Sequence, residues 1–245
     1  MTTNRTNQNV WARPSMLKLA GVCVLVAGMF AGQHLALSAE DATTVPAPKQ
    51  DETVVATQHA ETAVFAGGCF WGVQGVFQHV RGVTQVVSGY TGGAAQTAQY
   101  DTVSGGDTGH AESVQITYDP TQVTYGRLLQ VFFSVVHNPT ELNRQGPDHG
   151  TQYRSAIFPT SDMQRGVAQA YIAQLGAAHT FPEPVVTKVE NFKGFYPAEN
   201  YHQNFLTLHP DYPYIAVNDM PKVEQLKQRF PALYRNDPVL LKTTG

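Results

Sequence analysis

The stretch TAVFAGGCFWGVQGVFQHV, residues 62–80, changes its hydrophobic rhythm halfway along. Thr62–Ala66 is a short apolar run of strand character, whereas Phe70, Val73, Phe77 and Val80 recur at the spacing of one helical face. Gly67, Gly68 and Cys69 lie between the two, so the reading is a strand, a tight glycine turn and a helix starting at or beside Cys69. A sulfur at a helix start meets unpaired backbone N–H groups and the positive end of the helix dipole. Both favour thiolate over the ordinary thiol, whose pKa is about 8.5. The competing reading is a small buried hydrophobe, which is what most lone cysteines are.

Further along, strands are predicted at Val83–Tyr90, Ala111–Tyr118, Tyr153–Phe158 and Val185–Val189. Helices are predicted at Tyr125–Val136, Asp162–Leu175 and, after Pro221, Lys222–Arg229. This mixed order with short connections points to an α+β or α/β sandwich around one core. Two irregular segments interrupt it. Tyr90–Gly109 holds Gly92, Gly93, Gly105, Gly106 and Gly109, and Asn138–Gly150 holds Pro139, Gly146 and Pro147. Long glycine-rich connections of this kind are often functional, and both are expected to border one site.

The 245 residues, 42% of them hydrophobic, suffice for one domain and a tail. The formal charge of −3 is uneven, because residues 1–39 carry Arg5, Arg13 and Lys18 but no Asp or Glu. Without those three the rest has 13 basic and 19 acidic residues, net −6. No basic patch invites nucleic acid or anionic lipid. The N-terminus reads as a signal peptide over 1–39: a basic stretch, an apolar run of 14 residues from Leu19 to Gly32, then Ala36-Leu37-Ser38-Ala39 as a cleavage region. Spanning a bilayer takes ~20 residues as a helix, so an uncleaved anchor is the alternative. Export to the periplasm is the expectation, with a membrane-anchored form facing outside the cytoplasm as the other. Residues 40–61, broken by Pro46 and Pro48 and without hydrophobic period, read as a flexible linker before a catalytic domain at 62–245. Cys23 falls inside the leader, so a cleaved chain carries one thiol, Cys69, and no internal disulfide.

Several residues suit chemistry at that thiol. Phe70 and Trp71, on consecutive helical positions, cannot both face the core. One of them either walls an apolar pocket fit for a methyl group or both simply pack. Glu112 shares alternation parity with Val114, Ile116 and Tyr118, which puts its carboxyl on the apolar face, where burial raises its pKa. The alternative is a strand-end glutamate reaching solvent. The run Asp148-His149-Gly150-Thr151-Gln152-Tyr153-Arg154-Ser155 is dense in polar groups just before apolar Ala156–Phe158. His149 is a base there or merely satisfies loop carbonyls. The remaining histidines show no metal-ligand spacing, so neither zinc nor iron is expected.

Gly67–Gly72, the run Gly106-Asp107-Thr108-Gly109-His110-Ala111-Glu112, the block Asp148–Ser155 and Tyr196-Pro197-Ala198-Glu199-Asn200-Tyr201-His202-Gln203 occur in order. Together they resemble the peptide methionine-S-sulfoxide reductase family from about Thr62 to Tyr234. The resemblance implies a two-layer α/β sandwich, class α+β, with a ferredoxin-like plait core. It implies Cys69 as nucleophile, Glu112, Tyr100 and Tyr153 as donors around a sulfoxide oxygen, and Phe70 and Trp71 around the methyl group. Asp148 is placed at the pocket rim with His149 in support. The expected reaction is thiol-dependent reduction of the S epimer of methionine sulfoxide, free or in proteins, through a Cys69 sulfenic acid, repairing oxidised exported proteins.

The chain departs from much of that family, which often carries recycling cysteines near the C-terminus. None follows Cys69, and Tyr214–Lys222 occupies the region. With no bound cofactor expected, the sulfenic acid requires an external thiol: a thioredoxin-like or glutaredoxin-like protein or a small thiol. Two other classes remain open on the residues alone: a cysteine peroxidase or acyl-transfer enzyme, and a non-catalytic binder with an aromatic pocket. Acyl transfer wants a base for Cys69, and no His-plus-Asn/Asp pair is singled out.

Overall fold

A computed structural model describes residues 43–53 and 60–242. The leader at 1–39 lies outside them. In chain order the elements are β1 (Glu61–Gly67), α1 (Phe70–Gln78), β2 (Val83–Thr91), α2 (Tyr100–Val103), β3 (Ala111–Tyr118) and α3 (Tyr125–Val131), which widens into a π turn at Phe132–Val136. A two-stranded hairpin of β4 (Arg144–Gln145) and β5 (Asp148–His149) follows, then β6 (Ser155–Ile157), α4 (Asp162–Ala177), β7 (Lys188–Val189), β8 (Phe195–Pro197), α5 (Phe205–Leu208), a second π turn at Ile215–Asp219, and α6 (Met220–Arg229).

The main sheet runs β7-β6-β1-β3-β2-β8. Its inner four strands, β6-β1-β3-β2, are antiparallel, and with α1 and α3 as crossovers they form a split β-α-β plait. Short β7 extends it in parallel and β8 antiparallel. The expected mixed α+β sandwich with a plait core is the fold observed.

The two faces of the sheet differ. Phe65, Val86, Val114, Ile116 and Tyr118 join Phe70, Val73, Phe77, Leu128 and Phe132 in the main core. Val64, Ala66, Ala111, Ala156 and Phe158 form a small second cluster on the opposite face. The period-two pattern of β3 thus sends Glu112, Val114, Ile116 and Tyr118 toward the helices. The strand expected at Val185–Val189 shrinks to its last two residues, and Tyr153 lies in a 3₁₀ turn rather than in a strand.

Residues 43–53 correct the expectation of a flexible linker over 40–61. Val45 is buried, its carbonyl accepts the Gln130 side-chain amide at 2.9 Å, and the Tyr171 hydroxyl donates to the Pro46 carbonyl at 2.6 Å. Asp51 accepts the Gly126 N–H at 2.8 Å and the Thr124 hydroxyl, adding a carboxylate to the N-terminus of α3. Low apolar content hid this docking, because much of it uses backbone carbonyls, which every sequence has.

Candidate active site

The turn between β1 and α1 is closed to side chains. A Cβ on Gly67 would lie 2.9 Å from the Phe132 ring. Gly68 has φ +89°, and a Cβ there would lie 2.7 Å from Gln145. The chain therefore passes from sheet to helix in two residues, and Cys69 becomes the N-cap of α1, with φ −53° and ψ 122°. It is the free cysteine among the described residues and is buried.

That burial reverses the expectation of a resting thiolate. Desolvation pushes the Cys69 thiol well up, and the Glu112, Asp219 and Asp148 carboxyls push in the same direction. The Trp71 N–H beside the sulfur pulls the other way but makes no proper cap bond. One helix terminus does not outweigh loss of water plus three acidic neighbours.

Glu112 lies beneath the same turn of helix, 3% exposed. Its Oε2 accepts the Phe70 N–H at 3.0 Å, filling the capping role that the sulfur leaves vacant. Burial lifts its pKa to about 8, against the lowering effect of the Phe70 N–H and with help from Asp148 and Asp219. A strand-end glutamate in solvent is excluded. Near neutral pH this carboxyl holds its proton.

Tyr100 opens α2 and Tyr153 ends a 3₁₀ turn, and both are half-buried. Each phenol is pushed up, first by burial, then by Glu112, with Cys69 contributing further, so both remain donors. Glu199 anchors Tyr100: one carboxylate oxygen accepts the Tyr100 N–H at 3.0 Å, the other the Tyr90 hydroxyl at 2.8 Å. Around Tyr153, Arg154 donates to the Gly109 and His110 carbonyls at 3.1 Å, Gln152 to the Ser104 carbonyl, and Thr151 to the Gly106 carbonyl. Arg154 is itself held by Glu190 at 2.8 Å. The glycine-rich loop and the 148–155 block are thus latched together, as expected of two segments bordering one site.

Phe70 is buried and Trp71 half-buried, so the two do not simply pack alike and Trp71 is the one placed to wall a pocket. The indole N–H donates to His202 Nδ1 at 3.1 Å, and its ring stacks on Phe205 with centroids 4.0 Å apart. The His202 ring also packs on Phe70 and Tyr100, at 5.0 and 4.4 Å. Burial holds His202 below its usual pKa, so it is neutral and can accept the indole proton. Asp148 is half-buried and bonded to the Tyr214 hydroxyl, while neighbouring His149 is exposed. A role for His149 inside the pocket is not supported by that placement.

Four residues of the site escaped the sequence reading. Glu199 and His202 lay in a recognised block without an assigned role. Tyr214 and Asp219 lay in the segment noted only for its missing cysteines. Asp219 is fully buried and paired with Lys222 at 3.1 Å. A cavity of about 660 Å³ lined by Phe133, Val136, Phe181, Val217, Tyr214 and Lys222 adjoins the site without reaching Cys69, so volume alone does not locate the chemistry. Among the described residues no cluster of three His, Cys, Asp or Glu is arranged to hold a metal ion.

Fold and site together define the class: a mixed α+β sandwich that sets one buried thiol and one protonated carboxyl at the first turn of a single helix. The chain matches the family model of peptide methionine sulfoxide reductase over residues 61–233. It is 68% identical over 182 residues to peptide methionine sulfoxide reductase MsrA 2 of Mesorhizobium japonicum, covering 74% of this chain and 93% of that one. To MsrA 2 of Synechocystis sp. it is 53% identical over 188 residues, with 76% and 88% covered. Among solved structures, Mxr1 from Saccharomyces cerevisiae in reduced form superposes with TM-score 0.55 at 32% identity, covering 66% of this chain and 91% of that one. Methionine sulfoxide reductase A of Corynebacterium diphtheriae gives 0.53 at 31% identity, covering 71% and 88%. The chain belongs to the peptide methionine sulfoxide reductase family. It is a peptide-methionine (S)-S-oxide reductase, an oxidoreductase that returns methionine sulfoxide to methionine.

Proposed function

We propose that Cys69 attacks the sulfoxide sulfur while Glu112 protonates the departing oxygen, and that Cys69 then carries the oxygen as a sulfenic acid. In the net step one thiol and one methyl sulfoxide give one sulfenic acid and one methyl thioether. Glu112 gives its proton to oxygen and recovers one from the Cys69 thiol, so the acid ends as it began. A sulfoxide oxygen is too basic to leave unprotonated, which is why a donor with a pKa near neutrality suits the step. Tyr100 and Tyr153 donate to the same oxygen, and Phe70 and Trp71 enclose the methyl group, with Asp148 at the rim. The observation that carries this reading is Glu112: a buried carboxyl with a pKa of about 8, tied to the first turn of the helix that Cys69 caps.

Restoration of Cys69 is assigned to an external thiol, thioredoxin-like, glutaredoxin-like or small. One thiol condenses with the sulfenic acid to a mixed disulfide and water, and a second releases Cys69 and a disulfide. The support is the cysteine count, since the sequence after Cys69 has no other. The leader-like pattern of residues 1–39 supports action on exported proteins. N-terminal sequencing of the exported protein should begin at Ala39 or Glu40, whereas an intact leader in the membrane fraction would replace export by anchoring.

The test of the chemistry is a single turnover without reductant. With S-sulfoxide, Cys69 should gain the mass of one oxygen atom as one methionine forms, and with R-sulfoxide neither should occur. Turnover of the R epimer, or methionine formed with Cys69 unchanged, overturns the reading.

A further inference from the structure

The mechanism leaves unused a buried acid that adjoins the site. Asp219 closes the π turn before α6, is 0% exposed and lies directly behind the first turn of α1: a Cβ on Gly72 would meet its Oδ1 at 2.1 Å. Lys222, one turn further along, donates to that same oxygen at 3.1 Å, while Oδ2 accepts no hydrogen bond among the described residues. Cys69, Phe70 and Gly72 sit within a single helical turn of 5.4 Å pitch. That turn therefore brings together the nucleophile at its cap, Glu112 at the Phe70 N–H, and Asp219 at the Gly72 backbone. Gly72 is needed because any side chain there would displace the carboxylate.

Burial pushes the Asp219 carboxyl up, and Lys222 opposes that push. We propose that Asp219 is a positioning residue of the reductase: a carboxylate paired with Lys222 behind the first turn of α1 that keeps a proton on Cys69 and on Glu112 until sulfoxide enters. Its field acts on both groups in the same direction as burial does, and reaches Tyr214, the partner of Asp148, as well. Such a charge matters most where water is excluded. It also guards the sulfur, because thiolate is the form that adventitious oxidants attack and the chain has no second cysteine after it for rescue.

The inference rests on the acid role proposed for Glu112, and a two-armed experiment separates their failures. Alkylation of Cys69 by iodoacetamide, followed by mass against pH, needs no turnover. In Asp219→Asn it should reach its half-maximal rate at lower pH than in the wild type. The alkaline limb of turnover should move the same way, so the ratio of activity at pH 8.5 to that at pH 6.5 falls by roughly tenfold, the scale of one nearby charge in a partly dry site. Since Asp219→Asn alone would leave Lys222 facing a neutral amide, the charge-balanced double variant Asp219→Asn with Lys222→Met is the control for folding. Unchanged alkylation and turnover profiles in whichever variant folds overturn the proposal. A shifted alkylation profile with full single-turnover activity in Glu112→Gln instead overturns the acid assignment and leaves the action of Asp219 on the sulfur standing.

Discussion

Strand β3 has a buried carboxyl at each end, and the reductase chemistry is proposed at only one of them. Near its start Glu112 lies under α1. At its end the Tyr118 hydroxyl stands 2.9 Å from Glu61 and 3.2 Å from Glu52, which reaches over from the docked segment 43–53. The two acids are alike by the usual marks: burial lifts Glu112 to about 8, and burial followed by Glu61 lifts Glu52 to about 7. Residues 112 and 118 even share one face of one strand. What differs is the company. Glu112 acts on a sulfur and two phenols, whereas Glu52 meets a phenol and another carboxyl. A raised carboxyl pKa reports desolvation, and it becomes catalytic where a nucleophile and a route for substrate meet it.

The sharpest way to break this contrast is to remove the nucleophile. Cys69→Ser should abolish reduction of methionine-S-sulfoxide while leaving the unfolding temperature nearly unchanged, since serine suits an N-cap at least as well as cysteine. Residual turnover above background would return the molecule to the class of binders with an aromatic pocket.

Next in size comes the acid. Glu112→Gln should slow the single-turnover chemical step by roughly 10²–10⁴-fold, the usual contribution of a placed proton donor. Its amide oxygen can still accept the Phe70 N–H, so substrate binding should change little. The same variant should be more stable than wild type in alkali. The folded pKa of Glu112 is raised, so its contribution is fully present below the unfolded value and lost as pH rises through about 8. Glutamine cannot ionise and escapes that loss. Paired thermal melts at pH 6 and pH 9 check the sign, and a variant less stable at pH 9 than wild type would show that the carboxylate form is well satisfied in place.

Smaller again are the phenols. Tyr153→Phe or Tyr100→Phe alone should lower kcat by about 10–100-fold, since one donor to the oxygen remains, and the double variant should approach the loss seen for an emptied oxyanion site. Comparable effects on KM with kcat untouched would place the hydroxyls in substrate recognition only.

Much of this is legible in the sequence. The switch from period two to helical spacing around Gly67–Cys69 located the first crossover, and the parity of Glu112 with Val114 and Ile116 located the buried acid. Both are local patterns, set by residues a few positions apart. Asp219 was invisible because its significance depends on Gly72, which lies 147 positions earlier, and on the missing side chain there. Glu199 was unreadable for a like reason, since its partners Tyr90 and Tyr100 come from a strand and a short helix that only the fold brings near it. The docking of residues 43–53 was missed because backbone carbonyls leave no compositional trace. The sign of the Cys69 shift was misread because the helix start is local, whereas the three opposing carboxyls come from β3, the β4–β5 hairpin and the second π turn.

The mildest change concerns the other end of β3. Its two carboxyls are in hydrogen-bond contact with one phenolic proton between them, so the cluster is satisfied when Glu52 is protonated and strained when both are ionised. Glu52 has a folded pKa of about 7 against an ordinary value of 4.5. Its share of stability is therefore whole below about 4.5 and lost as pH rises through 7. Glu52→Gln should flatten that loss and raise the unfolding temperature at pH 8 by about 2–4 °C, the response of a domain this size to ~1 kcal/mol, with little change at pH 4.5. Its kcat should be untouched at both pH values, because the cluster meets no sulfur. If the substitution instead altered turnover as Glu112→Gln does, the two ends of the strand would be coupled, and burial on the shared face, rather than the company each acid keeps, would be the organising feature.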